Sequence, residues 1–185
     1  MKLNIIGVVG GILAFVSLAL PWWTMSMSSS MFGMSFSVDV SVYPYQATMS
    51  ALGMAESAEV SIWFGWVALA LVIIGGVIGI IASLMPGKTL LIVGGLLALV
   101  SVIIFAVGIQ LEIANALAAE DLPVVGLFGS GTYTYSGTTM NYSAFLSFGF
   151  WIALVAGILM LIASRKTPVA TVTPPPPPPP PMQQY

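Results

Sequence analysis

The sequence predicts an all-α membrane protein: a four-helix bundle carrying a small extracellular antiparallel β-sheet formed by its two outer loops. Three observations lead there. Of 185 residues, 58% are hydrophobic and 5% charged, whereas a water-soluble domain carries roughly 25% charged residues. Lipid has to be the missing solvent. Four apolar runs without ionisable groups recur along the chain, each near the ~20 helical residues that a hydrocarbon core of about 30 Å requires. Between them, two stretches switch to two-residue alternation, the period of a strand with one buried face.

The four spans fall at 3–20, 62–84, 90–111 and 144–163, within a membrane domain of residues 1–166, and outer loops occupy 21–61 and 112–143. Lys2, Lys88, Arg165 and Lys166 all fall on one side of this arrangement. The positive-inside rule makes that side cytoplasmic, so both termini face inward across the plasma membrane. The acids Asp39, Glu56, Glu59, Glu112, Glu120 and Asp121 fall on the other side. A cleavable secretory signal is the competing reading of the N-terminus, but its apolar run is long for a signal and no A-x-A site ends it. Pro21, Trp22 and Trp23 read instead as an interfacial anchor, because Trp favours the headgroup level.

Small residues recur at four-residue spacing on the spans: Gly7 and Gly11, Gly75 and Gly79, Gly94 and Ala98, then Gly149, Ala153 and Gly157. Such rows let helix backbones approach closely in lipid. They serve either packing within one bundle or a homo-oligomer interface.

In the first outer loop Met34, Phe36, Val38, Val40 and Val42 alternate with Ser35, Ser37, Asp39 and Ser41. Met25 and Met27 alternate likewise with Ser26 and Ser28, and Ser28-Ser29-Ser30 has the composition of a turn. Glu56 and Glu59 are spaced to share one helix face before the second span. The second loop reads as a Gly129-Ser130-Gly131 turn, then a hairpin of 132–135 and 138–142 about Ser136-Gly137. Because a lone hairpin is marginal in water, the two loops are expected to join in one sheet. Between Gly108 and Leu122 neither Gly nor Pro interrupts a helix. The third helix is therefore expected to reach about 50 Å at about 1.5 Å per residue, standing beside the sheet.

In this layout, and in Leu20-Pro21-Trp22-Trp23 at the end of the first span, the chain resembles the claudin-like tetraspan superfamily. The resemblance implies four helices with cytoplasmic termini, a sheet from both outer loops and an extended third helix. The Gly-Leu-Trp and paired cysteines of that family's first loop are missing here, since the chain has no Cys and no Trp between Trp23 and Trp63. Paracellular sealing is not implied.

The tail, 167–185, contains Pro174, Pro175, Pro176, Pro177, Pro178, Pro179, Pro180 and Pro181. Without N–H donors this run favours polyproline II, roughly 25 Å of stiff rod at about 3.1 Å per residue. It is either a docking rod for a cytoplasmic polyproline-binding protein or a solvated spacer. Asn141-Tyr142-Ser143 is an N-glycosylation sequon on the outer side.

Composition also limits the chemistry. The absence of Cys and His removes thiolate nucleophiles, disulfides and the usual proton shuttle. The net charge of −2 gives no electrostatic basis for binding nucleic acid. Asp39, Glu120 and Asp121 are at most a loose oxygen-ligand cation site, and the sequence assigns no catalytic, cofactor or metal residues. The spans offer only Asn4, Ser17, Ser83, Ser101, Gln110 and Ser147, where ion pathways usually carry ionisable groups. Gln110 with Glu112 is the one candidate vestibule. The expected function is a non-enzymatic structural or interaction protein whose outer sheet meets a partner or another copy, with membrane lipid its constant neighbour. The alternative is a small transporter, channel or accessory subunit of a larger membrane complex.

Overall fold

The computed structural model describes residues 3–31, 34–51, 54–58, 62–85, 88–119, 126–135 and 138–166. Lys2, Glu59, Pro86-Gly87, Glu120-Asp121, Pro123, the Ser136-Gly137 turn and the proline tail with Pro174–Pro181 lie outside these. Four helices are present: α1 (Ile5–Leu18), α2 (Trp63–Leu84), α3 (Thr89–Ala119) and α4 (Phe148–Lys166). Three of them are long and apolar enough to cross a membrane, as expected of a membrane protein.

The helices lie side by side, α1 against α2 and α4, and α3 against α2 and α4. They run antiparallel in sequence order. At one end Ala82, Leu91 and Ala163 cluster, with Ile6 against them. At the other Phe64, Phe105, Ile109 and Phe150 share a core with Trp22. Asn4 ties the first end together. Its backbone N–H donates to the Ser83 carbonyl at 3.1 Å, and its Nδ2 donates to the Ala163 carbonyl at 3.0 Å. Its Oδ1 accepts from the Gly7 N–H at 3.3 Å and caps α1. One residue thus satisfies an orphan helix donor and, through its side-chain amide and backbone N–H together, joins three helices.

The outward faces of the helices are apolar: Ile5 on α1 is 67% exposed, Ile103 on α3 60% and Trp63 on α2 65%. In water such continuous apolar surface would drive association; in lipid it is the matched surface. Inward, every glycine and alanine of the four small-residue rows is buried. Gly75 and Gly94 show the reason. A Cβ on either would stand 2.8 Å from the other's carbonyl oxygen, so only hydrogen at both positions lets α2 and α3 approach so closely. Within this chain the row glycines meet the neighbouring helix or, for Gly149, the chain leading into the sheet.

The first span is shorter than its apolar run. α1 has 14 residues, about 21 Å at about 1.5 Å per residue, because Asn4 caps one end and the chain leaves for the sheet at the other. The fourth helix starts at Phe148 and not at Ala144. Ala144–Leu146 close a strand instead, paired with Met25, Thr24 and Trp23.

The sheet has six antiparallel strands: β1 (Trp23–Met31), β2 (Met34–Val42), β3 (Ala47–Ala51), β4 (Met54–Ala58), β5 (Gly129–Tyr135) and β6 (Thr138–Leu146). Their order is β4-β3-β2-β1-β6-β5, so the β1–β6 ladder joins the two loops. Three local expectations change. Ser28–Ser30 continue β1 and do not turn, since each pairs with β2. Glu56 lies on β4, opposite Met49, and not on a helix. Gly129–Gly131 belong to β5, paired with Ala144, Ser143 and Tyr142. In each case inter-strand pairing outweighs a weak local preference.

Replacing Gly75 by Val should lower the stability of the purified protein by about 1–3 kcal/mol through overpacking against a backbone that cannot retreat. A thermal scan in detergent checks this, and an unchanged midpoint would mean that α2 and α3 do not pack so closely.

Candidate functional site

The sheet joins the helices at Trp22, which is fully buried. Its backbone N–H donates to the Val42 carbonyl at the end of β2 (2.8 Å), and its carbonyl accepts from the Ser147 N–H between β6 and α4 (2.9 Å). The indole Nε1–H donates to the Ser17 carbonyl in the last turn of α1, at 2.9 Å. The ring makes edge contacts with Phe105 of α3 and Phe150 of α4, centroids 5.1 and 6.4 Å away, and Phe105 meets Phe64 of α2 at 5.9 Å. Gly149 makes room for it. A Cβ there would strike the indole and lie 2.6 Å from the Leu20 carbonyl oxygen.

The anchor reading of Trp22 and Trp23 is therefore corrected. Both are buried inside the protein, because the chain turns from α1 straight into β1 and carries them under the sheet. The exposed tryptophans are Trp63 and Trp66 at the start of α2 and Trp151 in the first turn of α4. With Phe148 they ring the sheet end of the helices, and the Trp151 Nε1–H is satisfied by the Leu146 carbonyl at 3.1 Å. An apolar ring with a satisfied polar edge suits a lipid headgroup boundary. The sequence held this signal in Trp63-Phe64-Gly65-Trp66, where the outward positions are one turn apart.

The register gives the sheet two unlike faces. On the inner face Trp23, Met25, Val42, Ala47, Ala144 and Leu146 are buried over the helix ends. Val40, Met27 and Tyr142 continue this face, packed on the same core beside Ile113 of α3. Seven of the chain's 11 methionines take register positions there: Met25, Met27, Met31, Met34, Met49, Met54 and Met140. An apolar cleft of about 160 Å³ opens between this face and the helices, lined by Val40, Val42, Ala47, Ile62, Phe64, Ile109 and Glu112.

The outer face is a field of hydroxyls. Ser50, Asp39, Ser26, Ser143 and Ser130 stand in one row across five strands. Ser57, Thr48, Ser41 and Thr24 form the row nearer the helices, which the exposed Phe145 continues on β6, and Ser37, Ser28, Asn141 and Thr132 form the row beyond. Asp39 accepts a 2.6 Å hydrogen bond from the Ser26 hydroxyl and is the ionisable residue of this face among the described residues. The sequon residue Asn141 is exposed within it. Sequence reading found the alternation but not this extent, because β3 and β4 are Ala-rich and short.

The remaining candidates serve architecture. Gln110 accepts from the Leu127 N–H at 3.1 Å and holds the approach to β5 against α3. Glu112 borders the cleft. The Ser17, Ser83 and Ser101 hydroxyls are buried and donate to the carbonyls of Ala14, Gly79 and Ala98 on their own helices, at 2.6–2.7 Å. Among the described residues no group of three or more His, Cys, Asp or Glu is placed to hold a metal. No protein-family model matches the chain, and no curated protein is similar to it.

The two neighbouring tryptophans should respond differently to loss of the indole N–H. Trp22→Phe removes the 2.9 Å indole donor to the Ser17 carbonyl, leaving it only the longer 3.3 Å bond from the Leu20 N–H among backbone donors of the turn that follows, and should cost about 1 kcal/mol. The Trp23 Nε1 is buried without a hydrogen-bond partner among the described residues, so Trp23→Phe should be near neutral. Thermal midpoints of the two variants in one detergent decide it, and equal losses would contradict the arrangement at Trp22.

Proposed function

We propose that the chain is a non-enzymatic membrane protein in which four helices form a transmembrane bundle and hold the sheet outside the cell as an interaction surface. One observation carries this reading: an extended six-stranded sheet, rigidly seated on the helix ends, whose outer face offers rows of hydroxyls with a single carboxylate among its described residues. Such a face has many donors and acceptors but little charge to confine it to ionic partners. Its partner is another copy of the chain or a neutral hydroxyl-rich component of the cell envelope.

The orientation rests on charge. Lys88 and Arg165 lie at the helix ends remote from the sheet, which the positive-inside rule assigns to the cytoplasm. α1, though short, turns Ile5, Val9, Ile12 and Phe15 outward, the surface of a lipid-facing segment. In this reading it completes the fourth crossing, with the plasma membrane as its location and both termini inside. A claudin-like layout is proposed on the same ground, because α3 continues past the lipid-length window to Ala119 and both loops feed one sheet.

Because the chain has no Cys, single-cysteine labelling has no background. A membrane-impermeant maleimide on intact cells should modify Ser37→Cys but modify Lys88→Cys only after permeabilisation. The reverse pattern would overturn the orientation. For the interaction itself, the mass of the detergent-solubilised protein should exceed that of one chain, or a stoichiometric envelope component should co-purify, and Ser28→Lys with Ser37→Lys should abolish either. A monomer without a co-purifying component would sink the interaction reading.

A further inference from the structure

Beneath the sheet, the apolar cleft has no part in the hydroxyl face or in the packing of the bundle. The sheet supplies Val40, Val42 and Ala47 to it, α2 supplies Phe64, and α3 supplies Ile109 and Glu112. Val42, Ala47, Phe64 and Ile109 are buried and form its floor, while the half-buried Val40 and the exposed Glu112 stand at its mouth. The floor is fixed in place. Phe64 packs edge-on against Phe105, with centroids 5.9 Å apart, and a Cβ at Gly108 would strike its ring. Close-packed interiors leave few voids wider than a water molecule, whereas this cleft has about 160 Å³. Apart from Glu112 its walls offer water no hydrogen bonds, and an apolar cavity of about 150 Å³ stays dry and takes up a molecule the size of benzene. The cleft therefore fits a short stretch of hydrocarbon.

Depth and charge decide which hydrocarbon. The cleft lies at the sheet end of the helices, where the exposed Trp63, Trp66, Phe148 and Trp151 suit a headgroup boundary. Trp63 adjoins Phe64, and Leu111, 57% exposed, adjoins Glu112, so a chain leaving the cleft continues onto lipid-facing surface. The basic residues of the protein are Lys2, Lys88, Arg165 and Lys166. Lys88 is about 35 Å from Glu112 along α3 at about 1.5 Å per residue. Arg165 lies at the same remote end, and Lys2 and Lys166 neighbour that end in sequence. The counter-charge for Glu112 therefore comes from outside the chain.

We propose that the cleft binds a membrane lipid with a primary ammonium headgroup. Part of one acyl chain enters between β2 and α3, and the ammonium donates to the Glu112 carboxylate. This rests on the helices forming a transmembrane bundle with the sheet at its outer end. An anionic headgroup would be repelled by Glu112, and a quaternary ammonium has no N–H to give to it.

The test uses the full-length protein in nanodiscs holding equal amounts of ethanolamine-, choline- and glycerol-headed phospholipids with identical acyl chains. The protein is released into mild detergent, and the lipid it retains is identified by native mass spectrometry. One ethanolamine-headed lipid per chain is expected, enriched about threefold or more over each of the others, as suits an exposed ion pair. Glu112→Gln, at an exposed position, should still retain lipid but lose the preference. Val40→Phe, which fills the mouth, should lose the retained lipid. Val107→Phe adds the same bulk on the outward surface of α3, where Val107 is exposed, and should behave as the parent does. If Val40→Phe does not fold, Glu112→Gln decides. A parent that retains no lipid, retention without headgroup preference, a preference that survives Glu112→Gln, or an equal loss in Val107→Phe would each overturn the proposal. Protein that fails to enter the discs at all would overturn the bundle reading, and this one with it.

Discussion

The fold depends on one junction, where a helix suited to lipid hands over within a few residues to a strand that needs partners. A strand leaving an apolar helix brings unpaired N–H and C=O groups with it, and none is cheap to leave unpaired when buried. Trp22 resolves this by bonding on three sides: to Val42 of β2, to Ser147 ahead of α4, and through its indole back to Ser17 of α1. Its ring meanwhile meets Phe105 of α3 and Phe150 of α4. The orientation of the sheet relative to the helices follows from these contacts. Pro21 and Gly149 complete the junction, the first as acceptor for the Gly149 N–H at 2.9 Å and the second by having no side chain where the indole lies.

From that seat the rest follows by parity. Once Trp23 faces the helices, so must Met25 and Met27, and the intervening Thr24, Ser26 and Ser28 must face away. The same parity is imposed on β2 and β6 by direct pairing, and on β3, β4 and β5 through them. One sheet therefore separates three environments: a packed core next to the helices, a methionine face beyond it, and a hydroxyl face on the other side. The helices keep a fourth, the lipid, through residues such as Ile103 and Ile158.

Much of this was legible in the sequence. The apolar runs marked α2 nearly to its ends and the start of α3, and the alternation from Met34 to Val42 marked β2 residue for residue. The uninterrupted stretch after Gly108 foretold the long α3. What failed did so for physical reasons. Ser28–Ser30 has turn composition, and Ser29 puts a polar residue at an inward position, so alternation stops showing where the strand does not. Ala47–Ala51 and Met54–Ala58 favour helix by composition, and only pairing with β2 makes them strands. Ala144–Leu146 are apolar enough for lipid yet are claimed by β1. The double tryptophan looked like a headgroup anchor because sequence shows amphipathic rings but not the turn that buries them; Trp63, Trp66 and Trp151 take the exposed positions instead.

The most direct test of the Trp22 junction is hydrogen–deuterium exchange of the protein in lipid nanodiscs, comparing the parent with Trp22→Ala. If Trp22 seats the sheet on the helices, amides in β1, in β6 and in the first turn of α4 should lose protection together, while the middle of α2 and α3 stays protected. If instead exchange rises only in the few residues around position 22 and the β1–β6 ladder keeps its protection, the sheet is held in some other way and the junction is not the constraint on which it depends.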